Sequence, residues 1–229
     1  MPKILALDTS TDACSVALDI DGEVKQDFRI IPRQHTKQLL PMVQQMLSDC
    51  DLKVSDLDAI AVGRGPGSFA GIRIATGAAQ GLAFAAELPM LPTSTLAAIA
   101  LRIYRDTGAE FIVTALDARM NEIYCCAYQI QNGLPVALMP ETVCAPDQLQ
   151  LPEESQRWTV GGSGWCYLEV MSAEVQQAVQ PVDEMVYPAA AEIVTLALQD
   201  WEAGKAVPPE EALPVYLRDQ VAWKKKDQQ

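Results

Sequence analysis

The chain opens with an uninterrupted apolar run from Ile4 to Leu7 that stops at Asp8, the pattern of a strand buried on both faces. Asp8-Thr9-Ser10-Thr11-Asp12 then reads as a polar turn, and residues 14–20 as a second strand. Asp21-Gly22 signals a hairpin into a third strand carrying Val24, Phe28 and Ile30 at even spacing. The period then changes. Leu39, Leu40, Val43, Met46 and Leu47 place an apolar stripe on a helix over residues 37–50, with Thr36 as candidate cap and Pro41 near the first turn.

A fourth apolar run, residues 59–62, leads into Gly63-Arg64-Gly65-Pro66-Gly67-Ser68 and then a long run of small and apolar residues, 69–86. This predicts strand, glycine-rich turn and helix, with Ser68 as the helix cap. Two readings of the turn stand: a phosphate loop whose free amides meet an anion at the helix N-terminus, or a close-packed connection. No Gly-Lys-Ser/Thr ends it and the glycines do not fit the dinucleotide spacing. Inside the helix, Gly77, Gly81 and Ala85 recur at four-residue steps. Each helical glycine costs about 1 kcal/mol relative to alanine, so close packing on that face must compensate. The expected partner is first the protein's own sheet or helix, with a second chain as the competing reading.

A short strand over 88–92 and a helix over 96–104, capped within Thr93-Ser94-Thr95, complete the first half. Gly108 marks a division between two lobes, drawn at residue 105: a first lobe, 1–105, and a second, 106–229. In the second lobe, strands are expected over 110–117, 122–130 and 135–144, with Asn132-Gly133 as a hairpin turn. A strand from Trp158 meets the turn Gly161-Gly162-Ser163-Gly164, followed by a helix from Trp165. Pro188 opens a helix over 189–203 that Gly204 ends and that can return to the first lobe. Residues 213–218 dock on the body, and Lys224-Lys225-Lys226 belongs to a solvated tail.

Composition narrows the chemistry. At 229 residues with 49% hydrophobic and 21% charged residues, the chain suits one large domain or two small ones. Net charge is −13, and the acidity is uneven: residues 1–105 hold 10 Lys/Arg against 11 Asp/Glu, and the remainder 7 against 19. Such a chain does not grip a nucleic-acid backbone by itself. His35 is the single histidine, so no paired-histidine metal site or Ser/His/Asp triad can be assembled around it. The six cysteines show no disulfide-framework spacing, and Cys125 and Cys126 point to opposite faces of one strand. They read as buried free thiols of a cytoplasmic protein. No leader or membrane-spanning segment is expected.

Several segments together resemble the TsaB (YeaZ) family of bacterial tRNA threonylcarbamoyladenosine (t6A) biosynthesis. They are Ile4 to Thr11, His35 to Pro41, Gly65 to Ile74, Asp117-Ala118-Arg119 with Ile123-Tyr124, and Pro214 to Arg218. The resemblance implies an α/β, actin-like (ASKHA, RNase H-like) fold of two lobes. It also implies a partner, the paralogous TsaD, which transfers the threonylcarbamoyl group to adenosine 37 of tRNAs reading codons that begin with adenine. The resemblance further implies that the ATPase TsaE joins the assembly, that tRNA is met only through the complex, and that the chain when alone forms a homodimer. TsaD-like chains carry a paired-histidine metal motif after the small-residue helix. Here that place reads Pro92-Thr93-Ser94-Thr95-Leu96-Ala97-Ala98, without histidine.

The expectation is therefore a non-catalytic activating subunit with no metal and no catalytic residues of its own. Its partner face would be built from Leu39, Leu40, Val43, Met46, Leu47, Ile74, Gly77, Ala78 and Gly81, so that Val43→Arg would abolish docking without unfolding. The competing reading is an independent actin-like ATPase. Its phosphates would lie against Asp8, Thr9, Ser10, Thr11, Gly65, Gly67 and Ser68, with Asp117 and the Gly161–Gly164 turn opposite. In the first reading, ATP or ADP binds only weakly or at a complex interface. A peptidase, the older label of such chains, lacks a nucleophile and base pair.

Overall fold

In a computed structural model, residues 2–152 and 157–218 are described; the Lys224-Lys225-Lys226 segment lies outside them. The first sheet holds β1 (Ile4–Asp8), β2 (Ala13–Ile20), β3 (Glu23–Ile30), β4 (Ala59–Gly63) and β5 (Met90–Thr93) in the order β3-β2-β1-β4-β5. The β1–β2 and β2–β3 pairs are antiparallel, and β1–β4 and β4–β5 are parallel. The second sheet repeats this plan with β6 (Phe111–Arg119), β7 (Glu122–Gln131), β8 (Leu134–Ala137), β10 (Trp158–Gly161) and β11 (Val179–Pro181), in the order β11-β10-β6-β7-β8. Again the hairpin pairs are antiparallel and the crossover pairs parallel. A further short strand, β9 (Thr142–Cys144), pairs with β7. Two sheets of one topology are the signature of the expected two-lobed, actin-like architecture.

Both faces of the first sheet are covered, which is why β1 is apolar at every position before Asp8. Leu5 and Leu7 face the core shared with α1 (His35–Ser48) and α2 (Phe69–Ala85), whereas Ile4 and Ala6 face α5 (Ala190–Glu202). The C-terminal helix thus lies on the first sheet, anchored where the Ala190 amide donates to Ser15 Oγ at 2.9 Å. Helix α3 (Thr95–Thr107) places Leu96, Ile99 and Ile103 against Ile112 and Tyr128 of the second sheet. Its C-terminus is closed by Gly108 at φ 73°, a left-handed cap that favours glycine.

Several local expectations are corrected. The N-cap of α1 is Gln34, which makes no side-chain cap, and Thr36 already lies inside the first turn. Pro41 sits in the second turn rather than the first. Residues 135–144 form two strands, β8 and β9, separated by a segment that carries Glu141. The helix expected from Trp165 is a 3₁₀ segment, Ser163–Val170, followed by the short α4 (Ala173–Ala178). Ser163 Oγ accepts from the Asp117 amide at 3.0 Å, which holds that segment against β6.

Candidate functional site

Strands β1 and β4 are parallel neighbours in register Leu7↔Val62, so the turns that follow them emerge side by side. The two turns close on each other. Ser68 N–H donates to Ser10 O at 2.7 Å, and Thr9 Oγ1 donates to Gly71 O at 2.6 Å. Ser68 Oγ in turn accepts from Gly71 N at 3.3 Å, the predicted cap. Glycine is required here by proximity. A Cβ at Gly63 would overlap Asp8 Oδ2, and one at Gly71 would overlap the Thr9 carbonyl oxygen. At Gly67 a Cβ would stand 2.5 Å from Ser10 O. Gly65, at φ 97°, also packs against Ile72.

Asp8, Thr9 and Ser10 are consequently buried, and Asp8 is fully so. One carboxylate oxygen accepts from Ser10 N at 3.0 Å and Ser10 Oγ at 2.9 Å, and the other has no hydrogen-bond partner. Burial raises the Asp8 pKa to about 7 against the pull of those two hydrogen bonds. Thr11 stays local, its Oγ1 accepting from Ala13 N at 3.3 Å. Of the two readings of the glycine turn, the geometry matches the close-packed connection. In the turn after β1, the hydroxyls of Thr9, Ser10 and Thr11 are engaged by protein groups, and the unpartnered Asp8 oxygen is a carboxylate oxygen, which does not suit a phosphate. The opposing Gly161–Gly164 turn behaves alike: a Cβ at Gly162 would overlap Ala115 O, and Gly164 is also tight against that residue.

The place of the paired-histidine motif holds Thr95, bonded to the glycine turn, and Ser94, which ties the first lobe to the second. Thr95 Oγ1 donates to Pro66 O at 2.5 Å and Thr95 N to Gly65 O at 3.1 Å. Ser94 caps α3 and also donates to Glu141, whose other oxygen pairs with Arg64 at 3.1 Å. His35 begins α1 with Nε2 3.2 Å from Ala13 O, a structural contact. Among the described residues no group of three or more His, Cys, Asp or Glu is arranged to hold a metal.

The predicted docking face divides. Leu39, Val43, Met46 and Leu47 belong to the core beneath α1, with Val43 only 3% exposed, so this stripe is not an open surface. Val43→Arg would therefore unfold the chain, contrary to the expectation from sequence. Leu40 alone of that stripe is open, at 50%. Ile74 and Ala78 sit at the margin of the same core. Gly77 and Gly81 are the reverse case: both are exposed, and a Cβ at either would meet nothing within 4 Å. Packing among the described residues does not compensate for them.

The outward face of α2 carries residues that the periodicity did not single out. Phe69 and Phe84 are 65% and 77% exposed near its two ends, with Ala70, Gly77 and Gly81 between and Ala85 just beyond Phe84. Phe69 is steadied by Arg73, whose guanidinium lies 3.3 Å from the ring centroid, and by Tyr216 at 5.9 Å. Beside this face, Leu40, Val43, Leu47, Leu52 and Leu82 line a groove of about 540 Å³ between α1, α2 and the segment after α1. The usable signal was present in the sequence: phenylalanines flanking a small-residue helix whose glycines lack an internal reason.

The comparisons with known proteins agree with this fold. The family model described as TsaD, tRNA N6-adenosine threonylcarbamoyltransferase, matches residues 29–226. A tRNA threonylcarbamoyladenosine biosynthesis protein TsaB from Escherichia coli is 43% identical over 226 residues, covering 97% of each chain. A structure of YeaZ from Pseudomonas aeruginosa superposes with a TM-score of 0.90 at 45% identity, covering 95% of this chain and all of that one. A second Pseudomonas aeruginosa structure, described as an uncharacterized protein with similarity to peptidase YeaZ, matches at TM-score 0.90 and 44% identity with the same coverage. The chain belongs to the TsaB (YeaZ) family of tRNA threonylcarbamoyladenosine biosynthesis proteins, and shares its actin-like domain with TsaD.

Proposed function

We propose that this chain serves t6A biosynthesis in the cytoplasm as a non-catalytic subunit, dimerising with a TsaD-type transferase through the outward face of α2 and the adjoining groove. The observation that carries the reading is this face: exposed phenylalanines near both ends, small residues between, and two helical glycines at which a Cβ would meet nothing within 4 Å among the described residues. Together they form an apolar strip of the kind that an oncoming helix covers, the glycines permitting close approach. When TsaD is absent, a second copy can cover the same strip as a homodimer. TsaE and tRNA join through the assembly.

Catalysis is assigned to the partner. The hydroxyls of the turn after β1 are engaged by protein groups, and Thr95 and Ser94 bind protein groups where the paralogue carries its metal motif. ATP or ADP is therefore expected only weakly or at the complex interface. The test is t6A formation from threonylcarbamoyl-adenylate and tRNA, with TsaD and TsaE saturating and this chain present or omitted. Product only in its presence supports the subunit reading; equal product without it rejects that reading.

A further inference from the structure

Cys125 and Cys144 lie on adjacent antiparallel strands, β7 and β9, with their sulfurs 3.9 Å apart. Cys125 is fully buried among Val113, Trp158 and Trp165, while Cys144 is half-buried at the margin of that cluster. Both are free thiols. The adjacent Cys126 points to the opposite face, where its Sγ approaches Met139 O at 3.2 Å, so it does not compete for Cys144. Cys144 thus stands at the edge of the cluster and Cys125 behind it.

We propose that Cys144 and Cys125 form a peroxide-reactive dithiol, in which hydroperoxide oxidises Cys144 and Cys125 closes the product to a disulfide between β9 and β7. The hydrogen bond with Cys144, helped by burial, holds the Cys125 proton in place, and the same hydrogen bond favours the Cys144 thiolate. That thiolate attacks one peroxide oxygen, the O–O bond breaks, and a hydroxide ion or alkoxide leaves. Cys125 sulfur then attacks the sulfenic sulfur, the S–O bond breaks, and the oxygen leaves as water with the thiol proton. The dithiol loses two hydrogens and the peroxide is reduced. Closing the sulfurs to about 2 Å requires β9 to slide along β7, because the two residues are diagonal rather than directly opposite. A three-residue strand paired with β7 alone among the described residues can supply that movement.

The consequence reaches beyond the strand. Glu141, which holds Ser94 and Arg64 of the first lobe, stands immediately before β9. A disulfide therefore fixes the segment through which the second lobe grips the glycine turn. The reaction does not depend on the docking face of α2.

The test treats the full reduced chain with hydrogen peroxide, blocks remaining thiols with N-ethylmaleimide under denaturing conditions, and measures intact and peptide masses. Cleavage after Tyr128 separates the two cysteines, so a link is read directly. The expected result is four maleimide adducts instead of six, a loss of two hydrogens, and a peptide joining Cys125 to Cys144 that dithiothreitol releases. Cys126→Ser and Cys166→Ser retain the link, and Cys144→Ser loses it. In Cys125→Ser, dimedone traps sulfenic acid on Cys144. Six adducts after peroxide, a link that excludes Cys144, or sulfinic acid on Cys144 in the unmutated chain without a link would each overturn the proposal.

Discussion

At the residue scale, glycines of one helix and its leading turn divide into opposite kinds. Gly63 and Gly71 exist because a methyl group has no room against Asp8 and Thr9; Gly77 and Gly81 stand in open space. Gly71→Ala should destabilise the isolated chain by about 1–3 kcal/mol through overpacking. Gly77→Ala should stabilise it by roughly 0.5–1 kcal/mol, as alanine does at an exposed helical position, while weakening partner binding. Urea midpoints separate the two outcomes.

Asp8 adds a pH signature. Its folded pKa is raised from 3.8 to about 7, so between these values the folded chain holds a proton that the unfolded chain releases. Stability from this group is greatest below pH 3.8 and falls as pH rises towards 7. A rise of that size corresponds to roughly 4 kcal/mol. Asp8→Asn should flatten that fall, measured as unfolding free energy across the interval.

At the element scale, both α1 and α2 show that an apolar stripe marks what is buried without saying what buries it. The stripe Leu39, Val43, Met46 and Leu47 was legible, and it faces the chain's own sheet. Val43→Arg should prevent folding, seen as loss of the cooperative thermal transition, because it buries a charge without a partner. Phe84→Arg, at the exposed end of α2, should leave that transition within a few degrees of the unmutated chain. The strands before residue 63 and both hairpin turns were readable because period and turn chemistry are local. The 3₁₀ segment Ser163–Val170 and the three-residue β11 were not: they rest on tertiary contacts such as the Asp117 amide bonded to Ser163. For the same reason the polar turn after β1 and the glycine turn could be found separately, but not their closure on each other.

At the scale of the whole molecule, chain segments distant in sequence join the two sheets. Residues 207–218 run from a bridge with Met90, past Gln80 and Arg64, to the β6–β7 turn. There Arg218 pairs with Glu122 and donates to the Ala118 and Arg119 carbonyl oxygens. It thereby holds a turn in which Arg119, Met120 and Asn121 all have positive φ. Arg218→Ala should cost on the order of 1–3 kcal/mol and open that turn to proteolysis, checked by limited digestion. Such long-range closures leave no mark in local periodicity, although the Pro214-to-Arg218 segment was itself conspicuous.

The central claim is that the outward face of α2 is where the transferase docks, and calorimetric titration of TsaD into this chain and into Phe84→Arg tests it most directly. The account predicts a saturable complex with the unmutated chain and at least a tenfold weaker one with the folded variant, together with matching loss of t6A formation. Equal affinity for both would contradict it and move the interface away from α2.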